Sequence, residues 1–284
     1  MLPNMKKWLL IFTVAVLAAG SYFIFSAPSS VQKVIAIQAK VTAANRCFMD
    51  TSAWRRWWPA GSGYRIDSLF YNEVRFRLNT DMDKPVSLRI AQLNTDSVLL
   101  GWEGNLSRRG QVEMDSVLEA FRSFVGVAKN IYGVNFQRTM SNDSTLITII
   151  RMEAVYPSTD YIYEKIDSLQ AYAAANHARV INYPMLNVTQ EATGLYRVMI
   201  ALSLDKTLAG NDRIIIKRFV PWKMIEGEVL GGVRDVQRAM KQLYRFRDDY
   251  RLSIMALPFQ SLVTDRRQER DSTKWVTKVL APIS

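Results

Sequence analysis

Runs of apolar residues with two different periods alternate along this chain, and their order predicts an α+β protein. Residues 31–39 (VQKVIAIQA) form a β-branched run that reads as a strand, followed by a short helical stretch over 41–50. Further strands are predicted at 64–78, 86–93 and 97–102. In the first of these Val74, Phe76 and Leu78 alternate with Arg75 and Arg77, as on a half-buried strand. Residues 114–128 follow with Val117, Leu118, Phe121, Phe124 and Val125 at helical spacing, a long helix with one apolar stripe.

Beyond residue 130 the pattern reads as two similar modules, each of strands flanking one helix. In the first, strand 145–155 (TLITIIRMEAV) leads through Pro157-Ser158-Thr159 into helix 160–176, whose apolar face is Ile162, Ile166, Leu169 and Ala173. Residues 179–188 return as strand. In the second, strands 195–204, 214–220 and 224–230 precede helix 233–249, faced by Val233, Val236, Met240 and Leu243. An apolar segment (253–259), a polar loop (264–273) and a strand ending Ala281-Pro282-Ile283 complete the chain.

Two blocks carry family resemblances. Strand 31–39, the short helix and Trp54-Arg55-Arg56-Trp57-Trp58-Pro59 together resemble the START-like polyketide cyclase (SRPBCC) superfamily. That resemblance implies a curved antiparallel sheet gripping a long helix around an apolar cavity, although this half is shorter than members of that family. Trp54, Trp57 and Trp58 can line such a pocket or pack between helix and sheet. Residues 223–284, a strand ending in Gly231-Gly232, a helix, a polar loop and a closing strand, resemble the GyrI-like family of effector-binding domains. This implies two modules side by side, with a small-molecule groove along their pseudo-twofold axis. The domains expected are an anchor (1–29), a helix-grip domain (30–130) and a GyrI-like domain (131–284).

Composition narrows the chemistry. With 49% apolar residues the chain can build a proper core. A single cysteine, Cys47, excludes an intramolecular disulfide and a thiolate metal cluster; its apolar neighbours suggest a small buried hydrophobe. A single histidine, His177, excludes a multi-histidine metal site and disfavours a Ser-His-Asp triad; it falls near a helix C-terminus. No metal and no cofactor is expected. The net charge is +11, but the basic residues are scattered. Their densest pairs, Arg55-Arg56 and Arg266-Arg267, lie in turn-like stretches without a helix-turn-helix or finger pattern, so nucleic acid is not an expected partner.

Lys6 and Lys7 precede an uncharged run, residues 8–25 (WLLIFTVAVLAAGSYFIF). As a helix it would span roughly 27 Å, close to a bilayer's hydrocarbon thickness. The rival reading, a cleaved signal, is disfavoured by the aromatics Tyr22, Phe23 and Phe25 and by Pro28 after Ser26-Ala27. The expectation is a single-pass membrane protein, N-terminus cytoplasmic and bulk periplasmic or extracellular, with a protein partner in the envelope possible.

Within the GyrI-like half the candidate ligand-binding aromatics are Tyr161, Tyr163, Tyr183, Trp222, Phe259 and Trp275. Glu226 and Glu228 share one face of a strand, about 7 Å apart. They can attract a cation, act as a general base, or simply face solvent. The resemblance implies a buried acid on the last strand shortly before the closing proline; Lys278 stands there, which allows an anionic ligand, or an outward-facing lysine if the register differs by one residue. The function expected is capture or sensing of a small amphipathic organic molecule. The alternatives are a hydrolase using Glu226 or Glu228 with Tyr163 or Tyr183, and an envelope scaffold without a ligand.

Overall fold

The computed structural model describes residues 31–142 and 144–284, and the chain divides into two compact units, one ending at Gly126 and one running Val127–Ser284. Both are α+β with antiparallel sheets. The 8–25 run lies outside the described residues, and among those described no helix is long and apolar enough to cross a membrane. That finding overturns the expected single-pass membrane location.

The first unit comprises β1 (Val31–Gln38), α1 (Val41–Met49), a 3₁₀ turn (Thr51–Arg56), β2 (Tyr64–Phe70), β3 (Glu73–Leu78), β4 (Val86–Asn94), β5 (Ser97–Gly104) and α2 (Arg108–Val125). The five strands pair in the order β1-β5-β4-β3-β2. The stretch expected as one strand over 64–78 is a hairpin, because alternation breaks at the exposed turn Tyr71-Asn72. Helix α2 begins well before residue 114. Ser107 caps it by accepting a bond from the Gly110 N–H (3.2 Å), and its own hydroxyl donates to buried Asp81 (2.6 Å). Polar residues open the helix because the cap, not the apolar stripe, sets its start.

The tryptophan segment packs rather than lines a pocket. Trp54, Trp57 and Trp58 are all buried. Trp54 stacks on Trp58 (centroids 5.2 Å, 6° between planes), and Trp57 meets Phe121 of α2 edge-on at 4.9 Å. The Trp54 indole N–H donates to the Phe48 carbonyl (2.7 Å), so the helix–turn corner is tied as well as filled. Cys47, expected to be buried, is half-buried.

The second unit comprises α3 (Ala128–Tyr132), β6 (Phe136–Met140), β7 (Ser144–Glu153), α4 (Thr159–Ala175), β8 (Met185–Gln190), β9 (Tyr196–Leu204), β10 (Ile215–Phe219), β11 (Lys223–Leu230), α5 (Val233–Asp249), β12 (Phe259–Leu262), a 3₁₀ turn (Ser272–Lys274) and β13 (Val276–Ile283). Its strands form one sheet in the order β10-β7-β9-β8-β12-β13-β11-β6. The sheet is a pair of strand–helix–hairpin modules, β7-α4-β8-β9 and β11-α5-β12-β13, related by a pseudo-twofold axis between β8 and β12. Each module has one flanking edge strand, β10 or β6. The expected module contents need correcting here: β9 and β10 belong with α4, not α5. Strand β6, which was not anticipated, pairs with β11 at the far edge of the second module. Gly227 permits that pairing, because a Cβ there would fall 2.7 Å from the Phe136 ring.

Both helices lie on the same sheet face. α4 packs Ile162, Ile166 and Leu169 on Ile147, Leu186, Ile200 and Leu202. α5 packs Val236, Ala239 and Leu243 on Ile225, Val279 and Ala281. The double glycine works as a strand-to-helix joint: Gly231 takes a left-handed φ of 136°, and the Gly232 N–H donates to Asp235 (3.1 Å). His177 sits just past α4 with φ 53°, its N–H donating to the Ala174 carbonyl (3.0 Å), a backbone role that terminates the helix.

Because Trp54 anchors the aromatic cluster of the first unit, Trp54→Ala is expected to cost about 3–5 kcal/mol. Urea denaturation followed by tryptophan fluorescence and circular dichroism checks this; a loss below about 1 kcal/mol would show that the cluster is not the core of that unit.

Candidate functional site

Within this unit the described helices α4 and α5 lie on one face of the eight-stranded sheet, yet its central strands are apolar on both. On β7, Ile147 and Ile149 face the helices, while Leu146, Thr148 and Ile150 point the other way. On β9, Val198, Ile200 and Leu202 face the helices and Met199, Ala201 and Ser203 do not. A strand that must be apolar on both faces reads as a continuous run, and TLITIIRMEAV is such a run.

On this bare face lies a groove of about 280 Å³. Its floor is Leu146, Thr148, Met199 and Ala201, and its walls include Met185, Asn187, Phe219, Phe259 and Pro282. Both modules contribute, since the lining crosses from β7 and β9 through β8 to β12 and β13. Asn187 is fixed by donating to the Pro258 carbonyl (2.7 Å), which also holds the segment before β12 against β8. Lys217 and Arg218 of β10 stand at the groove's edge, and among the described residues the lining contains no aspartate or glutamate.

Beside the groove, Met224, Phe259 and Leu280 form a small buried cluster with Met185 and Phe219 against it. Past Leu280 on the same face is Lys278. Its ammonium pairs with Glu226 of β11 at 2.9 Å, with side chains 33% and 16% exposed. The hydrogen bond to Glu226 holds the Lys278 pKa above its ordinary value, against a smaller opposing effect of burial; the nearby charges of Glu226 and Glu228 and the Tyr183 hydroxyl add to the rise. Glu228 lies directly opposite Lys278 in register and is exposed.

The candidate residues therefore separate by sheet face. Phe259 lines the groove; Glu226, Glu228, Lys278 and half-exposed Tyr183 gather beside it. Trp222 is half-buried at the entry to β11, where its backbone N–H donates to the Ser141 hydroxyl (2.8 Å). Tyr161, Tyr163 and Trp275 belong to the helix-bearing side. The Tyr161 hydroxyl donates to Glu153, and burial together with that bond pushes its pKa up to about 12. The Tyr163 hydroxyl donates to the Thr264 carbonyl (3.1 Å) and accepts from the Arg266 N–H (2.9 Å). The Trp275 indole donates to the Glu269 carbonyl (2.7 Å) and lies under the Arg266 guanidinium (4.8 Å). Tyr163 thus cannot converge with Glu226 on one reacting point, because the sheet stands between them.

Arg266 lies in a turn, as its stretch of sequence suggests, and is 5% exposed. Its guanidinium donates to the Thr277 hydroxyl (2.9 Å), and burial lowers its pKa. The groove residues Leu146, Thr148, Met199, Ala201, Lys217 and Phe219 were not singled out from the sequence. The two-sided apolar run of β7 was their visible signal, and it was read only as evidence of a strong strand.

No family model and no curated protein matches the sequence. Among solved structures, the C-terminal domain of EcmrR is similar at 13% identity over 53% of this chain and 98% of its own, with a TM-score of 0.46. A hydrolase from Listeria innocua is similar at 11% identity, covering 52% of this chain and 91% of its own, with a TM-score of 0.42. SAV2435, solved bound to tetraphenylphosphonium, is similar at 16% identity over 52% of this chain and 93% of its own, with a TM-score of 0.36.

The Lys278–Glu226 pair gives a signed pH dependence. Because the folded-state pKa of Lys278 is raised above its ordinary value of 10.5, its stabilisation is complete below that value and is lost as pH climbs through the raised one. Comparing urea midpoints of the wild type with Lys278→Met between pH 8 and pH 11, about the range where a lysine titrates, the gap between the two proteins is expected to shrink as pH rises. A gap independent of pH would show that the pair contributes nothing.

Proposed function

We propose that the Val127–Ser284 unit is a GyrI-like binding domain that captures a small amphipathic organic molecule in the groove on the bare face of its sheet. The observation that carries this reading is the groove itself: about 280 Å³, lined mainly by apolar side chains of both modules, on the sheet face opposite α4 and α5. An apolar concavity at the junction of two modules is where a ligand can bury most of its surface. The paired strand–helix–hairpin modules supply the arrangement that the sequence resemblance implies. Lys278 and Glu226 neutralise each other beside the groove, so the groove's interior favours the apolar body of a ligand.

The test uses N-phenyl-1-naphthylamine, a neutral dye that fluoresces when it leaves water. Saturable enhancement is expected with the wild type. Met199→Trp, which fills the floor from a half-buried position, is expected to weaken binding by about tenfold or more, near 1.4 kcal/mol, while the circular dichroism spectrum and urea midpoint stay close to wild type. Undiminished binding in Met199→Trp would move the site elsewhere.

A further inference from the structure

Three features of the groove fix the charge of its ligand. The first is the sign of its lining: Lys217 borders it, and among the described residues no carboxylate does. The second is the state of Lys217. Among the described residues its ammonium has one polar contact, the Met199 sulfur at 3.7 Å. A thioether is a weak acceptor, and an ammonium carries three donors, so this cation is left largely unanswered by the protein. Its path is also informative. Lys217 starts on β10 opposite Leu146, and its ammonium reaches the sulfur of Met199, the partner of Ile150. The row between, Thr148 with Ala201, is the groove floor.

The third feature is Thr148. It is 1% exposed, lines the groove, and its hydroxyl has no hydrogen-bond partner. A buried hydroxyl left unpaired costs free energy, and such groups are uncommon in native interiors. Here it lies on the strip of sheet that the Lys217 side chain crosses on its way to Met199.

We propose, resting on the groove being a ligand site, that its occupant is an amphipathic anion: an apolar body of medium length ended by a single carboxylate. The body lies along Met185, Met199, Ala201, Phe219 and Phe259, and the carboxylate accepts from the Lys217 ammonium and the Thr148 hydroxyl. A cationic amphiphile of the same length meets Lys217 as a like charge and finds no acid among the described residues of the lining. The carboxylates beside the groove do not reverse this preference, because Lys278 already occupies Glu226 at 2.9 Å and exposed Glu228, opposite Lys278 in register, lies outside the lining.

Decanoate, decan-1-ol and decylammonium share one tail and differ in charge, and their binding can be compared by displacement of the neutral dye. Decanoate is expected to bind about tenfold more tightly than decylammonium, with decan-1-ol between them. Lys217→Met should bring the two ions to within about threefold of each other. Lys217→Arg should keep the anion preference and Lys217→Glu should invert it. Lys217 is exposed on an edge strand, so these variants are expected to fold. Equal or tighter binding of decylammonium by the wild type, or an anion preference that survives Lys217→Met, would overturn the assignment while decan-1-ol binding still upholds the groove. Failure of all three to bind would remove the groove reading and this inference together.

Discussion

The second unit depends on a short seam where β8 meets β12. The ladder there has few rungs, Leu186 opposite Gln260 and Met185 opposite Ser261, and among the described residues it is the strand pairing that joins the two modules. So short a ladder is weak alone, and contacts on both faces reinforce it. Along the strands, the Leu262 N–H donates to the Pro184 carbonyl (2.9 Å), and Asn187 holds Pro258. On the helix-bearing face, the Tyr163 hydroxyl of one module bonds two backbone groups of the other, at Thr264 and Arg266. Arg267 pairs with Asp167 of α4 at 2.7 Å across the same boundary, an exposed bridge of modest worth. Burying Arg266 costs solvation; the Thr277 hydroxyl and the Trp275 ring beneath it offset part of that cost. The polar loop before β13 is thus a clasp.

That clasp has consequences on the opposite face. The groove takes Met185 and Asn187 from one side of the seam and Phe259 and Pro282 from the other, so its width follows from how the modules meet. A groove on a continuous sheet cannot widen without breaking ladder rungs, whereas a cleft between separate domains opens by hinge motion. The floor is accordingly rigid, and adaptation to an occupant falls to side chains, particularly Met185, Met199 and Phe219. Methionine suits that position because its unbranched, polarizable chain fits irregular shapes at small conformational cost.

Local signals in the sequence were reliable where the chain itself supplied the cause. Helix α5 begins and ends where its apolar face and double glycine indicate, since caps and periodicity act over a few residues. The hairpin within 64–78 and the early start of α2 were missed because a single turn pair and a buried Asp81 decided them. Module membership was illegible for a different reason. β6 and β10 find their partners at long range, and nothing in either strand names β11 or β7. The site candidates were chosen by residue type, whereas a sheet sorts residues by parity. Aromatic character brought forward Tyr161, Tyr163 and Trp275, which lie with the helices. Lys217, one lysine among many, acquires meaning only when β10 is placed beside β7.

Lys278 shows how charge logic changes once partners are known. On the sequence it stands where the GyrI-like resemblance implies an acid, and that suggested an inversion of ligand charge at one position. In the fold its charge is answered by Glu226 from the adjacent strand, so the last strand presents the groove with a nearly neutral pair. Among the described residues Lys217, whose ammonium meets only the Met199 sulfur, lies instead at the other end of the lining, on β10, the edge strand that flanks the first module. An edge strand with an exposed face can change its side chains at little cost to the core. Ligand charge and fold stability are therefore carried by different parts of this sheet, and the selecting charge can vary while the seam and its clasp stay fixed.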